Sequence, residues 1–254
     1  MSGRNPEPLT AVVTGARRGI GRATAVALGK RGMQVAVTGR RTDGGALDQT
    51  VAAVEAAGGT AVAVPLDLAE RSGIDTAVAA IGSCCGPVSV LVNNALCDQP
   101  GSQEPIESMD FDAFERMIVG EVVNTSYLTR RVLLELAHPD GVTVINVGSG
   151  AARHAPPRKG AWSFAYSATK AALHRLAPFL EVEFAGRAVR SFTVDPGYTR
   201  TEALLERLGD VPGSAPPEMP AEVIAWLALD PAAGTQLGGY VSAASIAEEL
   251  GWRF

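Results

Sequence analysis

Short apolar runs rich in Val, Ala and Ile alternate along the chain with longer Ala-rich segments in which apolar positions return every three or four residues. The short runs predict strands near residues 9–14, 34–39, 60–65, 88–93, 141–147, 188–194 and 239–243. The longer segments predict helices near 19–31, 46–57, 69–82, 108–137 and 163–185, short ones near 201–208 and 219–228, and a short amphipathic helix after the last strand. Strands and helices taking turns are the pattern of βαβ units. The expected architecture is therefore α/β, a doubly wound seven-stranded parallel sheet with helices on both faces. Ligands on such sheets sit beyond the carboxyl ends of the strands. The loops after strands should hold the chemistry, and three are conspicuous: 94–107, 148–162 and the Pro/Gly-rich stretch 209–220. No repeat or linker interrupts the pattern, and 254 residues with 46% hydrophobic content suit one large core, so residues 1–254 read as a single domain.

The run TGARRGIG, residues 14 to 21, lies between the first strand and the first helix. Gly15, Gly19 and Gly21 permit a tight turn, a close backbone approach to a ligand and close packing of helix on sheet, and Thr14, Arg17, Arg18 and Ile20 complete the segment. The helix N-terminus offers free N–H groups and a positive dipole end to a pyrophosphate. Set between a strand and a helix, this glycine pattern points to a dinucleotide. At the end of the second strand an acid would accept hydrogen bonds from ribose hydroxyls, whereas an arginine accommodates a 2′-phosphate. Here VAVTGRR puts Gly39 where the acid would stand, followed by Arg40 and Arg41. Guanidinium groups bind phosphate in a bidentate way, so the segment selects NADP(H) over NAD(H).

In FAYSATKAAL, Tyr166 and Lys170 lie one helical turn apart beside Ser167, Ala168, Ala171 and Ala172. Alone, the pair fits a core aromatic with a solvated lysine as well as it fits a phenol with a cation beside it. The order of motifs along the chain separates these readings. TGARRGIG, LDL at 66–68, NNA at 93–95, INVGSG with Ser149, YSATK, and DPGYTRT at 195–201 together resemble the short-chain dehydrogenase/reductase family over nearly the whole chain. The resemblance implies a Rossmann fold and hydride transfer between a nicotinamide coenzyme and a carbonyl or alcohol. A carbonyl receiving hydride develops alkoxide charge and needs a proton donor and an orienting donor. By resemblance Tyr166 is that acid and Ser149 the second donor. Lys170 holds the nicotinamide ribose and lowers the phenol's pKa from about 10. The resemblance also places Asp67 and Leu68 at the adenine, Asn94 and Ala95 along the coenzyme, and Pro196, Gly197, Thr199 and Thr201 at its nicotinamide end.

Several residues depart from the family pattern. Its fourth active-site member is an asparagine whose backbone carbonyl holds a water in the proton relay; alignment puts Glu121 there, and Asn124 fits only with the helix register shifted by three. Glu121 then either keeps the relay through its carbonyl, contributes its own carboxylate, or faces a neighbouring subunit. Leu96 replaces the glycine of the NNAG motif, so the loop bends differently or Leu96 fills space near the coenzyme. The loop between Ser149 and Tyr166 is long, stiffened by Pro156 and Pro157 and made basic by Arg153, His154, Arg158 and Lys159. It reads either as a recognition loop for an anionic or polar ligand or as a solvated excursion, with His154 the histidine placed to approach the site. His138 and His174 read as helix-end or surface residues. Trp252 and Phe254 read as interface anchors or as packing within the chain.

A net charge of −5 with scattered Lys and Arg gives no footprint for nucleic acid or an anionic membrane. Apolar stretches are strand-sized and the start, MSGRNPEPLT, has no apolar targeting region, so a cytoplasmic protein is expected. Cys84, Cys85 and Cys97 show no metal-ligand spacing and read as buried reduced thiols, with no metal expected. The reading reached is an NADPH-dependent reductase of a small-molecule or carrier-bound ketone, working as a homodimer or homotetramer. The alternatives are an NADP-dependent alcohol dehydrogenase running the same chemistry backwards, and a dinucleotide-binding regulatory protein whose Glu121 and Leu96 have cost it turnover.

Overall fold

The computed structural model describes residues 8–40, 45–156, 162–236 and 239–254. Its strands are β1 (Thr10–Val13), β2 (Gln34–Gly39), β3 (Thr60–Pro65), β4 (Val88–Asn93), β5 (Val142–Val147), β6 (Val189–Asp195) and β7 (Tyr240–Ser242). They form one sheet in the order β3-β2-β1-β4-β5-β6-β7, with every pairing parallel. Chain order reverses between β1 and β4, which opens a crevice at their carboxyl ends.

The helices are α1 (Gly19–Gly29), α2 (Ala46–Ala56), α3 (Arg71–Cys85), α4 (Phe111–Ile118), α5 (Thr125–Arg131), α6 (Phe164–Glu183), α7 (Glu202–Leu208), α8 (Glu218–Leu229) and α9 (Ala243–Glu249). Alternate strand residues serve opposite layers. Val13, Val37, Val92, Ile145 and Val194 pack with Leu28 of α1, Val54 of α2, Ile224 of α8 and Ile246 of α9. Val12, Ala36, Leu91 and Val144 pack with Ile74 of α3, Leu128 of α5 and Leu180 of α6. A parallel sheet covered on both faces has no polar side, and that is why its strands read as apolar runs.

The helix expected over 108–137 starts later and is not uniform. Asp110 caps α4 by accepting from the Ala113 N–H at 3.0 Å. Between α4 and α5 the backbone stays helical but widens to i→i+5 bonding over Val119–Asn124, and it widens again over Val132–Leu136. Gly120 sits in the first wide turn, where a Cβ would come within 2.2 Å of Cys97 Sγ. Only glycine lets the turn lie this close to the 94–97 loop.

Two smaller expectations fail or narrow. Cys85 and Cys97 are buried, but Cys84 is exposed at the end of α3. Trp252 packs against the α1/α8 layer and meets Phe254 edge-on at 6.3 Å, while Phe254 itself stays exposed. Among the described residues no helix is long and apolar enough to cross a membrane.

Candidate active site

The turn after β1 is held from the β4 side. Thr14 Oγ1 accepts from the N–H groups of Asn94 (2.9 Å) and Ala95 (3.0 Å), and Asn94 Nδ2 donates to the Thr14 carbonyl at 2.8 Å. Gly15 has φ +66° and its missing Cβ would lie 2.7 Å from Ala95 Cα. At Gly21 a Cβ would lie 2.4 Å from the Gly15 carbonyl oxygen and 2.5 Å from Asn94 Nδ2. These are backbone-level collisions, so the turn and the first turn of α1 exist in this form only with glycines. The N-terminus of α1 has no side-chain cap and no acid in its first turn. Free N–H groups and a positive dipole end fit a phosphate, and Glu202 Oε2 lies close by, 3.6 Å from where a Cβ on Gly19 would stand. Facing them, Thr201 caps α7 by accepting from the Leu204 N–H (3.2 Å), and its methyl group covers Gly19. Ile20 lies beside them on the pocket wall.

At the carboxyl end of β2, Gly39 lies under the stem of Arg17: a Cβ there would meet Arg17 Cγ at 3.0 Å and Cδ at 3.2 Å. Arg40 is exposed just beyond, and Arg41 lies outside the described residues. Arg18 pairs with Glu206 of α7 at 3.0 Å, both exposed. Asp67 is half-buried after β3, one carboxylate oxygen accepting from the Ala69 N–H at 2.9 Å, and Leu68 is buried beside it. Pro196 and Gly197 follow β6; Thr199 Oγ1 donates to the Pro196 carbonyl at 3.1 Å, and Gly197 takes φ +66°. The residues of the cradle thus suit a phosphorylated dinucleotide, with basic rather than acidic groups at the end of β2.

Ser163 caps α6 by accepting from the Tyr166 N–H (3.0 Å), which fixes Tyr166 in the first turn. Lys170 follows one turn later with its Nζ 5.8 Å from the Tyr166 ring centre. Lys170 is buried; its ammonium donates to the Val147 carbonyl at 3.3 Å and lies 3.4 Å from Glu121 Oε2. Burial pulls the ammonium's pKa down, but Glu121 and then Tyr166 outweigh burial and hold it above the usual lysine range. Glu121 is fully buried, and its Oε1 accepts from the Cys97 N–H at 2.5 Å. Asn124, the residue of the shifted register, is bonded elsewhere: it donates to the Leu68 carbonyl at 2.7 Å and accepts from the Arg71 guanidinium at 3.4 Å.

Ser149 and Tyr166 both open on one cavity of about 640 Å³. Leu96, Trp162, Tyr198, Leu204 and Leu208 supply its apolar wall, and Arg18, Asp98, Gln103, Asp195, Glu206 and Arg207 bring polar and charged groups to its rim. Leu96 lines the cavity and is 45% exposed. His154 is exposed and does not line the cavity; Arg153 stacks its guanidinium 4.3 Å from the Tyr240 ring centre; Arg158 and Lys159 lie outside the described residues.

His174 corrects the sequence reading. Rather than a surface residue, it lies behind Ser149, where its Nε2 accepts from the Ser149 N–H at 3.3 Å and its ring stacks 5.0 Å from Tyr240. A Cβ on Gly148 would come within 2.4 Å of Nε2, so that glycine makes room for the imidazole. Burial pushes the His174 pKa down to about 4, with Asp195 opposing and Lys170 and Arg153 assisting. The ring is therefore neutral and able to accept. Tyr240 donates to Asp195, whose other oxygen accepts from the Gly197 N–H at 3.0 Å, so the same cluster steadies the loop after β6. One signal pointed here: Tyr166, Lys170 and His174 recur at intervals of four and share a helical stripe.

The family model described as short chain dehydrogenase matches residues 9–209. An uncharacterized oxidoreductase, YxbG, of Bacillus subtilis (strain 168) is 30% identical over 203 residues, spanning 80% of this chain and 70% of that protein. The cis-4-hydroxycyclohexanecarboxylate dehydrogenase of Sinomonas cyclohexanicum is 31% identical over 234 residues, 87% of this chain and 90% of that protein. Among solved structures, the landomycin C-6 ketoreductase LanV with bound NADP and rabelomycin superposes with a TM-score of 0.79 at 30% identity, covering 92% of this chain and 94% of that one. The chain belongs to the short-chain dehydrogenase family and is an NAD(P)-dependent oxidoreductase of alcohol and ketone groups.

Proposed function

We propose that this protein is an NADPH-dependent ketoreductase in which Tyr166 protonates the ketone oxygen, Ser149 orients that oxygen, and Lys170 supports the phenol from beneath. The observation that carries this reading is the convergence of Ser149 and Tyr166 on one cavity with the Lys170 ammonium buried behind them. When bound, the reduced coenzyme supplies the hydride. The chain supplies the proton and the hydrogen bonds that meet the alkoxide as it forms, a contribution of about 10²–10⁴ in rate for a positioned general acid. Arg17 over Gly39, with Arg40 beyond it, supports the 2′-phosphorylated coenzyme over NAD(H).

The cavity narrows the substrate. One wall of the cavity, Leu96, Trp162, Tyr198, Leu204 and Leu208, supports a ring ketone of broad apolar surface, and Asp98, Gln103, Glu206 and Arg207 offer polar anchoring for its substituents. The cyclic ligand in the LanV structure and the ring acid in the name of the Sinomonas relative support that class. Exposed Phe111, Val119, Val123, Leu134, Phe179 and Val182 on the α4–α6 region support a homodimer or homotetramer.

A panel of cyclic and open-chain ketones scored by NADPH consumption, with NADH in parallel, tests this reading. Cyclic substrates and NADPH are expected to give the higher kcat/KM. Tyr166→Phe should lose about 10²–10⁴ in kcat while still binding NADPH by fluorescence titration. Equal rates with the two coenzymes would overturn the reading of the arginines.

A further inference from the structure

Two departures from the family's motifs meet at one carboxylate. Glu121 stands fully buried in the wide turn Val119–Asn124, where the family carries an asparagine. An asparagine brings no charge into such a place. A glutamate does, at a desolvation cost of several kcal/mol unless a cation meets it. The Lys170 ammonium meets it at 3.4 Å, with only 5% of the lysine side chain exposed. Glu121 Oε1 takes the Cys97 N–H at 2.5 Å. Cys97 follows Leu96, the residue that replaces the motif glycine and lines the cavity. Gly120 allows this approach of turn and loop.

Building on the reductase reading, we propose that Glu121 is the positioning residue for Lys170: its carboxylate is the counter-ion that keeps the buried ammonium charged beneath Tyr166 in the coenzyme-free protein, while tying the 94–97 loop to the same point. The carboxylate thus fixes at one point both the lysine and the loop that carries Leu96 into the cavity wall. The titratable and charged groups around the pair are Tyr166 and His174 on the lysine's own helix, with Asp195 and Arg153 beyond the imidazole, and the Cys97 thiol on the glutamate's side, with Asp67 and Arg40 beyond it. Glu121 is the carboxylate in contact with Lys170. Without it the ammonium faces a phenol, a neutral imidazole and the Val147 carbonyl, and burial drives a lysine in such a setting towards its neutral form.

The chain has lysines only at 30, 159 and 170, so protein carrying ¹³C-lysine gives three side-chain signals, which Lys30→Arg and Lys159→Arg assign. In coenzyme-free wild type the Lys170 signal should remain that of an ammonium up to the ordinary lysine range, near about pH 10. Glu121→Gln keeps an oxygen for the Cys97 N–H and removes the charge; its Lys170 midpoint should fall by about two pH units or more. Glu121→Asp keeps the charge, and its midpoint should stay nearer that of wild type than that of Glu121→Gln. In ketone reduction the alkaline limb of kcat should move down in Glu121→Gln in step with the NMR midpoint. A wild-type midpoint in Glu121→Gln overturns the proposal. If that variant does not fold, Glu121→Gln with Lys170→Met should fold, because no charge is left buried and unpaired; a double variant as unstable as the single one overturns it equally. The titration needs no turnover. A shifted midpoint in a protein that reduces no ketone would remove the reductase reading and leave the ion pair standing.

Discussion

A neutral imidazole behind Ser149 makes the site sensitive to acid through a residue that touches no substrate. The His174 pKa is pushed down to about 4 in the folded protein, so folding favours the unprotonated ring. The stability this contributes is complete above the unfolded value, about 6.5, and is lost as pH falls from there through about 4. His174→Gln keeps an acceptor for the Ser149 N–H without a titrating ring. Its Tm should fall less steeply than that of wild type between pH 6.5 and 4, as thermal melts at stepped pH will show. Lys170 has the opposite sign: its raised pKa contributes stability present below the ordinary lysine range and lost only as pH rises through the folded value. The place of Lys170 beside the phenol was readable in the sequence, whereas His174 left only its four-residue spacing from that lysine as a signal. The tyrosine, serine and lysine are legible because each sits in a local motif, whereas His174 gains its meaning from a serine 25 residues away. Glu121 and Asn124 were separable only by a helix that widens by one residue per turn, which leaves the apolar pattern almost unchanged.

At the level of elements, the β1–α1 junction tolerates no added carbon. A Cβ at Gly21 would strike the Gly15 carbonyl and the Asn94 amide, both fixed by the bonds that join β1 to β4. Gly21→Ala should therefore cost about 1–3 kcal/mol by overpacking and abolish NADPH binding. Urea unfolding and fluorescence titration measure the two effects separately. The seven strands were legible to within a residue because a doubly covered parallel strand is apolar on both faces and ends where the burial ends. The rod from Phe111 to Leu136 was legible as a helix but not as one with two wide turns. The first of these lies against the 94–97 loop at Gly120, a contact that periodicity does not encode.

At the scale of the whole molecule, the surface is not evenly polar. Phe179 and Val182 on α6 are 53% and 76% exposed, and Val123 and Leu134 from the α5 region are exposed as well. Light scattering after size exclusion should return a dimer or tetramer, and Phe179→Asp should shift it towards monomer without changing the fold seen by circular dichroism. A monomeric wild type would remove the oligomer from the reading. The arrangement of Arg17 over Gly39 reaches further, into how such an enzyme could change fuel. An acid installed at position 39 would set its first carbon 3.0 to 3.2 Å from the arginine's methylenes, so the stem must give by a few tenths of an ångström. Redesign towards the unphosphorylated coenzyme would thus pair the change at 39 with one at residue 17, whose guanidinium would otherwise neutralise the new carboxylate.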